Sequence, residues 1–437
     1  MKLLHRWMVI GLAGYEQVSL FCCCLSSQPP IFVALRLLGL QGELKVNRRF
    51  LLFCLRHELS LGVGTLDPLY RAIIWSLNVA YSGRFPSKDW EGNALSGARA
   101  LRAGSPIAGG PYCLTEVRGD WKWLKEIFDM KNFWRRKQGV CFKCKANAVY
   151  GPYSYVNVED YTSVPRLSTS EFFSVALKDY ISPICMAVGW QPTMVKYCLM
   201  HTLHLGLCHH LNGGAWLTLD ENGWFGNVCG VDKKMEHLTH RFHMWCSLHG
   251  IHHGQPIITK GHLHVEDFAE LRLKAYSSRI MTAFLAVVLK GLYQERTEAG
   301  EASPDLALVT TATAQLANWS LCLEQAPYKL SDREAQTLFD QGMEFLRTYK
   351  LLAVHHVQLR SRRYPLKPKV HAFVEILHEM LAFKESPRAN HCYGDEDFMG
   401  QMKRLVKQVH RATLELRTVL RFLLRVRNPG MKEQWPV

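Results

Sequence analysis

Apolar and polar positions fall into readable blocks from about residue 66 onward. Residues 67–79 read as a short helix, and residues 81–110, rich in Gly, Ser and Pro, read as loop. The stretch PYCLTEVR at 111–118 has strand character, stops at Gly119 and Asp120, and runs straight into the helical pattern WKWLKEIFDMKNFWRR. A second buried strand is expected at 193–200, TMVKYCLM, followed by HTLHLGLCHHLNGG. Residues 265–383 read mainly as helix, with one long helix at 268–293 and a surface linker at 295–305. Ser331 with Glu334 three residues on forms a capping box that starts a helix running through Leu352. Between these blocks, residues 232–264 hold eight of the twenty histidines and read as more loop than core. No repeat at solenoid spacing is visible.

The C-terminal block HCYGDEDFMGQMKRLVKQVHRATLELRTVLRFLLRVRN predicts a single long amphipathic helix, because no Pro or Gly interrupts residues 401–428. On a helical wheel Met402, Leu405, Val406, Val409, Leu416, Val419, Leu420, Leu423 and Leu424 make an apolar arc, with Lys403, Lys407, Arg411, Arg417, Arg421 and Arg425 on another. Eight Lys/Arg against the one acid Glu415 give this segment a surplus of seven in a chain whose formal net charge is +15. A solvated face usually mixes signs, so phosphate contact is the better reading of those six side chains, and DNA the expected partner.

With 437 residues, 48% of them hydrophobic and 21% charged, the chain has the composition of a globular protein of two or three domains. Its apolar N-terminus is broken by Glu16, Pro29, Pro30, Arg36, Glu43 and Lys45, so neither a bilayer span nor a signal peptide is expected there. Residues 1–65 read as an atypical leader, poorly ordered, and the location as intracellular, nuclear or cytoplasmic. Apart from the run Cys22–Cys24 and the pair Cys141 and Cys144, the cysteines are scattered, which fits free thiols and not a disulfide framework.

Cys141-x2-Cys144 lets two thiolates meet one zinc ion, but a structural site needs two more ligands, for which His201 with His204, or His209 with His210, are candidates. His237, His240 and His243 are spaced by three, drift around a helix and do not face one ion squarely. Asp120 after a strand, and Asp395, Glu396 and Asp397 at a helix start, could hold magnesium for phosphoryl transfer; acids at a helix N-terminus also cap free N–H groups without any chemistry. P-loop, GxGxxG, GxSxG and kinase signatures are absent, and no small-molecule cofactor is expected.

The segments EVRGDWKWLKEIF, VCFKCKANA, KYCLMHTLHLGLCHHLNGG, LRLKAYSSRIMTAFLA, PLKPKVHAFVEILHEM and SPRANHCYGDEDFMGQMKRLVKQVHRATLELR resemble, in order, a group of transposon-like proteins abundant in dinoflagellate genomes. More distantly, the order GD, CxxC, MHxxxLG, helices and a terminal acidic motif is similar to DDE transposases of the KDZ and CACTA-like type. That resemblance implies an RNase H-like fold, with Asp120 as first acid, Met200-His201 and Leu205-Gly206 as second motif, and a third acid within 395–397. Its pattern has an Asp two residues before the MH pair, where this chain has Cys198, a soft ligand that cannot replace a carboxylate on magnesium. The resemblance therefore implies DNA binding, with metal-dependent phosphodiester cleavage or strand transfer that is degenerate in this chain. A non-catalytic, zinc-stabilised nucleic-acid-binding module is the alternative. The expected fold is α/β, an RNase H-like mixed-sheet core over 66–230 with the CxxC loop, then a His-rich loop at 231–264, a large α-helical insertion at 265–390, and the acidic motif with its basic helix at 391–437.

Overall fold

Three strands form where the sequence reads as a leader: β1 (Glu16–Cys22), β2 (Ile31–Leu38) and β3 (Arg49–Leu55). The computed structural model describes residues 16–22, 31–38, 49–107, 111–131, 139–149, 151–159 and 161–427. The strands take up part of the apolar N-terminus, where Val, Leu and Phe suit a sheet and where Ala34 of β2 and Leu51, Phe53 and Cys54 of β3 are buried. Of the rest of the expected leader, residues 56–65 are described and lead into a helix, and residues 1–15, 23–30 and 39–48 lie outside the described residues.

The chain divides into two units, each built from separated segments. Unit 1 comprises residues 1–132, 167–196 and 392–437. It contains β1–β3, α1 (Val63–Ser82), β4 (Tyr112–Gly119), α2 (Trp121–Phe128) and the two-residue β5 (Val195–Lys196). The five strands lie in the order β3-β2-β1-β4-β5. β1 and β2, and β2 and β3, are antiparallel, whereas β4 runs parallel to both β1 and β5. Beside the sheet the aromatic rings of Phe128, Phe172 and Trp190 meet at 5.3–6.3 Å, covering the inner face of α2.

Unit 2 comprises residues 133–166 and 197–391. Its helices are α3 (Cys208–Glu221), α4 (Val231–Leu248), α5 (Ala275–Glu298), α6 (Pro304–Gln325), α7 (Asp332–Gln358) and α8 (Pro368–Phe383), with a short ladder of β6 (Leu263–His264) and β7 (Glu270–Leu271). Helices α5, α6, α7 and α8 pack in sequence order. α5 and α6 are long and apolar enough to cross a membrane by length and composition, yet bury 56% and 44% of that stretch inside the protein. The paired glycines of HHLNGG sit within α3 because the backbone of Glu270 would lie 2.6 Å from a Cβ at Gly213, and the Tyr364 ring 2.3 Å from one at Gly214.

The expected fold class is corrected. Among the described residues helix makes up 61% and strand 9%, so they are mainly helical and do not form an α/β protein organised on an RNase H-like core. Most of the apolar burial is supplied by helices. The expected strand at 193–200 shrinks to β5, because Leu199 onward already winds as helix. The His-rich loop is largely α4, whose apolar side chains Met235, Leu238, Phe242 and Cys246 recur at helical spacing and are buried.

The C-terminal helix is also not continuous. α9 (Tyr393–Lys407) and α10 (Leu414–Arg427) are separated by a turn in which His410 takes an extended conformation and caps the Ala412 N–H at 3.2 Å. A side chain that bonds its neighbouring backbone competes with helix propagation there. The break resets the phase: Leu414, Thr418, Phe422 and Leu423 are buried, whereas Leu416, Leu420 and Leu424 of the expected apolar arc are 56%, 37% and 48% exposed.

Candidate metal centre

Cys141 and Cys144 occupy a tight knuckle in unit 2. The Lys143 backbone N–H donates to Cys141 Sγ at 3.2 Å, and the loop is tied down by Val140 N–H to Ala146 O at 3.0 Å and Lys145 N–H to Pro165 O at 2.9 Å. Facing the knuckle is α8, where His371 and Glu375 stand four residues apart and so share one helix face. Cys144 Sγ lies 3.2 Å from His371 Nε2, and Cys141 Sγ lies 3.4 Å from Glu375 Oε1. The four ligand atoms all lie within 4.8 Å of one another, and the residues are 0–5% exposed. These four groups could hold a metal ion.

The surroundings favour charged ligands. Arg166 donates to both Glu375 oxygens, at 2.8 and 2.7 Å, and the Tyr197 hydroxyl lies 3.3 Å from Cys141 Sγ. Lys143 pairs with Glu379 and lies over the Phe142 and Tyr197 rings. Burial raises the Cys141 thiol, but hydrogen bonds from Cys144 and His371 outweigh it and bring it down to about 6. Cys144 is pushed the other way, first by its bond to Cys141 and then by burial. His371 rises to about 9 despite burial, through its bonds to Cys141 and Glu375. Glu375 is held well below the carboxylate range against its burial, by His371 first and then by Arg166. Two sulfurs, one imidazole and one carboxylate make a donor set suited to a borderline-soft divalent ion, and a tetrahedral zinc would separate S and N donors by roughly 3.5 Å.

The knuckle's partners are thus His371 and Glu375, not His201 and His204. His201 Nδ1 instead lies 3.2 Å from Cys198 Sγ. His204 is buried, and its pKa is held well below the usual range by burial and then by the charges of Arg279 and His391. His209 and His210 bond the carbonyls of Leu273 and Ala269. On α4, His237 packs its ring against Trp224, and His243 bonds the Gln255 carbonyl. The pair His371 and Glu375 was missed, although VHAFVEIL carries a signal: an ionisable pair at four-residue spacing on an otherwise apolar helix.

In unit 1 the four expected acids separate into different roles. Asp120 caps α2, accepting from the Trp123 N–H at 2.6 Å. Asp395 is fully buried and paired with the equally buried Arg118 at 3.1 Å. Glu396 is raised to about 7 by burial first, then by the charges of Asp120 and Asp395, with Lys403 opposing. Asp397 is exposed. Cys198 belongs to unit 2.

Of the six expected DNA-contacting side chains, Lys407 and Arg417 are exposed, and Lys403 and Arg425 are half-buried. Arg411 pairs with Glu58 at 2.6 Å, and Arg421 donates to the Gln408 carbonyl at 2.9 Å. No protein-family model matches the sequence, and no curated protein is similar to it.

Proposed function

We propose that the protein is a zinc-stabilised, DNA-binding protein. The buried set Cys141, Cys144, His371 and Glu375 carries the zinc part of this reading. Four protein ligands with no exposed member leave no coordination position for substrate, which is the character of a structural ion and not a catalytic one. The DNA part rests on charge: the formal +15 of the chain includes the cationic side chains of α9 and α10, which would meet phosphates without reading bases. In the full chain, Cys141→Ser with Cys144→Ser should lower the zinc content by one equivalent on elemental analysis. Anisotropy of a labelled duplex should show binding that weakens steeply as salt rises. Unchanged zinc content in the double variant, or binding indifferent to salt, would refute the respective half.

A second reading is favoured by one observation, the charge of Asp120 acting on Glu396. Glu396 is raised to about 7 by burial first and then by Asp120, and a divalent cation beside it would favour its ionised form. On that reading magnesium lies between Asp120 and Glu396, and a phosphodiester is the substrate. Asp395 would not be a ligand, because Arg118 already neutralises it. Magnesium-dependent nicking of plasmid DNA, abolished by Glu396→Gln and retained in Asp397→Asn, is the expected result; absence of nicking by the wild-type chain sinks this reading.

A further inference from the structure

We propose that unit 2 contains a second binding site for a zinc-type cation, with Cys198 and His201 as two of its ligands. Cys198 Sγ and His201 Nδ1 are 3.2 Å apart, the same separation as Cys144 Sγ and His371 Nε2 in the buried centre. Both values are close to the roughly 3.5 Å that tetrahedral zinc sets between sulfur and nitrogen donors. Cys198 is 4% exposed, and it stands where the chain turns from β5 into helix, with its carbonyl accepting the Thr202 N–H at 2.9 Å.

The helix that presents His201 is unusual in its winding. Residues Met200–Leu207 form a π-helix, a wide turn that is rare and concentrates at functional sites. An outside donor braces it: Lys369 Nζ donates to the Leu205 carbonyl at 2.9 Å, crossing Gly206 where a Cβ would lie 2.6 Å from the lysine Cδ. The segment carrying His201 is therefore clamped from α8 in a conformation that would otherwise relax to an α-helix. A rigid imidazole beside a buried thiol is a preorganised pair of soft donors, and zinc, cobalt(II) or cadmium would be preferred there over magnesium.

Titration of the metal-free full chain with cobalt(II) tests this, because thiolate-to-cobalt absorbance reports sulfur ligation directly. Two equivalents are expected for the wild type. Cys198→Ser and His201→Ala should each leave one, whereas Cys141→Ser with Cys144→Ser should remove the other. A wild-type chain saturating at one equivalent, lost with Cys141 and Cys144 and kept in Cys198→Ser, overturns the second site and leaves the first intact. One equivalent lost in Cys198→Ser and kept without Cys141 and Cys144 has the opposite meaning. Should the knuckle variants fail to fold, as judged by circular dichroism, comparison of wild type with Cys198→Ser alone still decides: unchanged stoichiometry refutes the proposal.

Discussion

Arg118 and Asp395 show how a single buried pair constrains what a charge can do. Both side chains are 0% exposed, so neither can recover water if its partner is removed. Arg118→Met should destabilise unit 1 by about 3–5 kcal/mol in urea unfolding, and adding Asp395→Leu should restore part of that, because one uncompensated charge goes with it while Glu116, 3.9 Å from Arg118, stays buried. Glu396 next to it behaves differently, since burial and the charges of Asp120 and Asp395 outweigh the opposing Lys403. Its carboxyl titrates near about 7 in the folded chain against a usual 4.5, so its contribution to stability is fully present below about 4.5 and is lost as pH rises through 7. Asp120→Asn keeps a capping side chain on α2 while removing a charge. It should bring the Glu396 titration down in an NMR pH series and raise stability at pH 8 by roughly 1–2 kcal/mol, discounted for partial exposure.

At the scale of elements, legibility follows the range of the interaction. The capping box at Ser331 and Glu334 is local, and the helix it starts, α7, was readable, though it runs on to Gln358. β4 and the α2 that follows it were readable for the same reason: the acid that ends the strand caps the helix. By contrast, His371 is 227 residues from Cys144, and its pairing with Glu375 on an apolar helix marks it as unusual without saying that it meets the knuckle. The break between α9 and α10 was hidden because every residue there tolerates a helix; only His410 and its bond to Ala412 decide otherwise. This break divides the basic face into parts with different duties. Lys407 and Arg417 are exposed, whereas Arg411 pairs with Glu58. Neutralising Lys407 or Arg417 to Gln should reduce the slope of log binding constant against log salt by about 0.9 each. Arg411→Gln should change stability more than that slope.

For the whole molecule, the distribution of buried imidazoles sets the response to acid. His209, His210 and His378 are depressed to about 4, each mainly by burial, and all belong to unit 2. The unfolded chain binds their protons near 6.5, so unit 2 keeps its stability above that pH and loses it as pH falls toward 4, on the order of 3 kcal/mol at most for the buried His210 and less for the half-buried His209 and His378. Thermal unfolding followed between pH 7 and 4 should show a steady fall that flattens in His209→Gln. The long separation of the metal ligands also has a consequence in time. With 227 residues between Cys144 and His371, and synthesis at about 5–20 residues per second, the knuckle spends roughly 10–50 s outside the ribosome before α8 exists. During that interval it is a bare dithiol, open to oxidants and to any thiophilic ion, so on the proposed zinc reading the cell's supply of zinc and reductant would act on this protein while it is still being made.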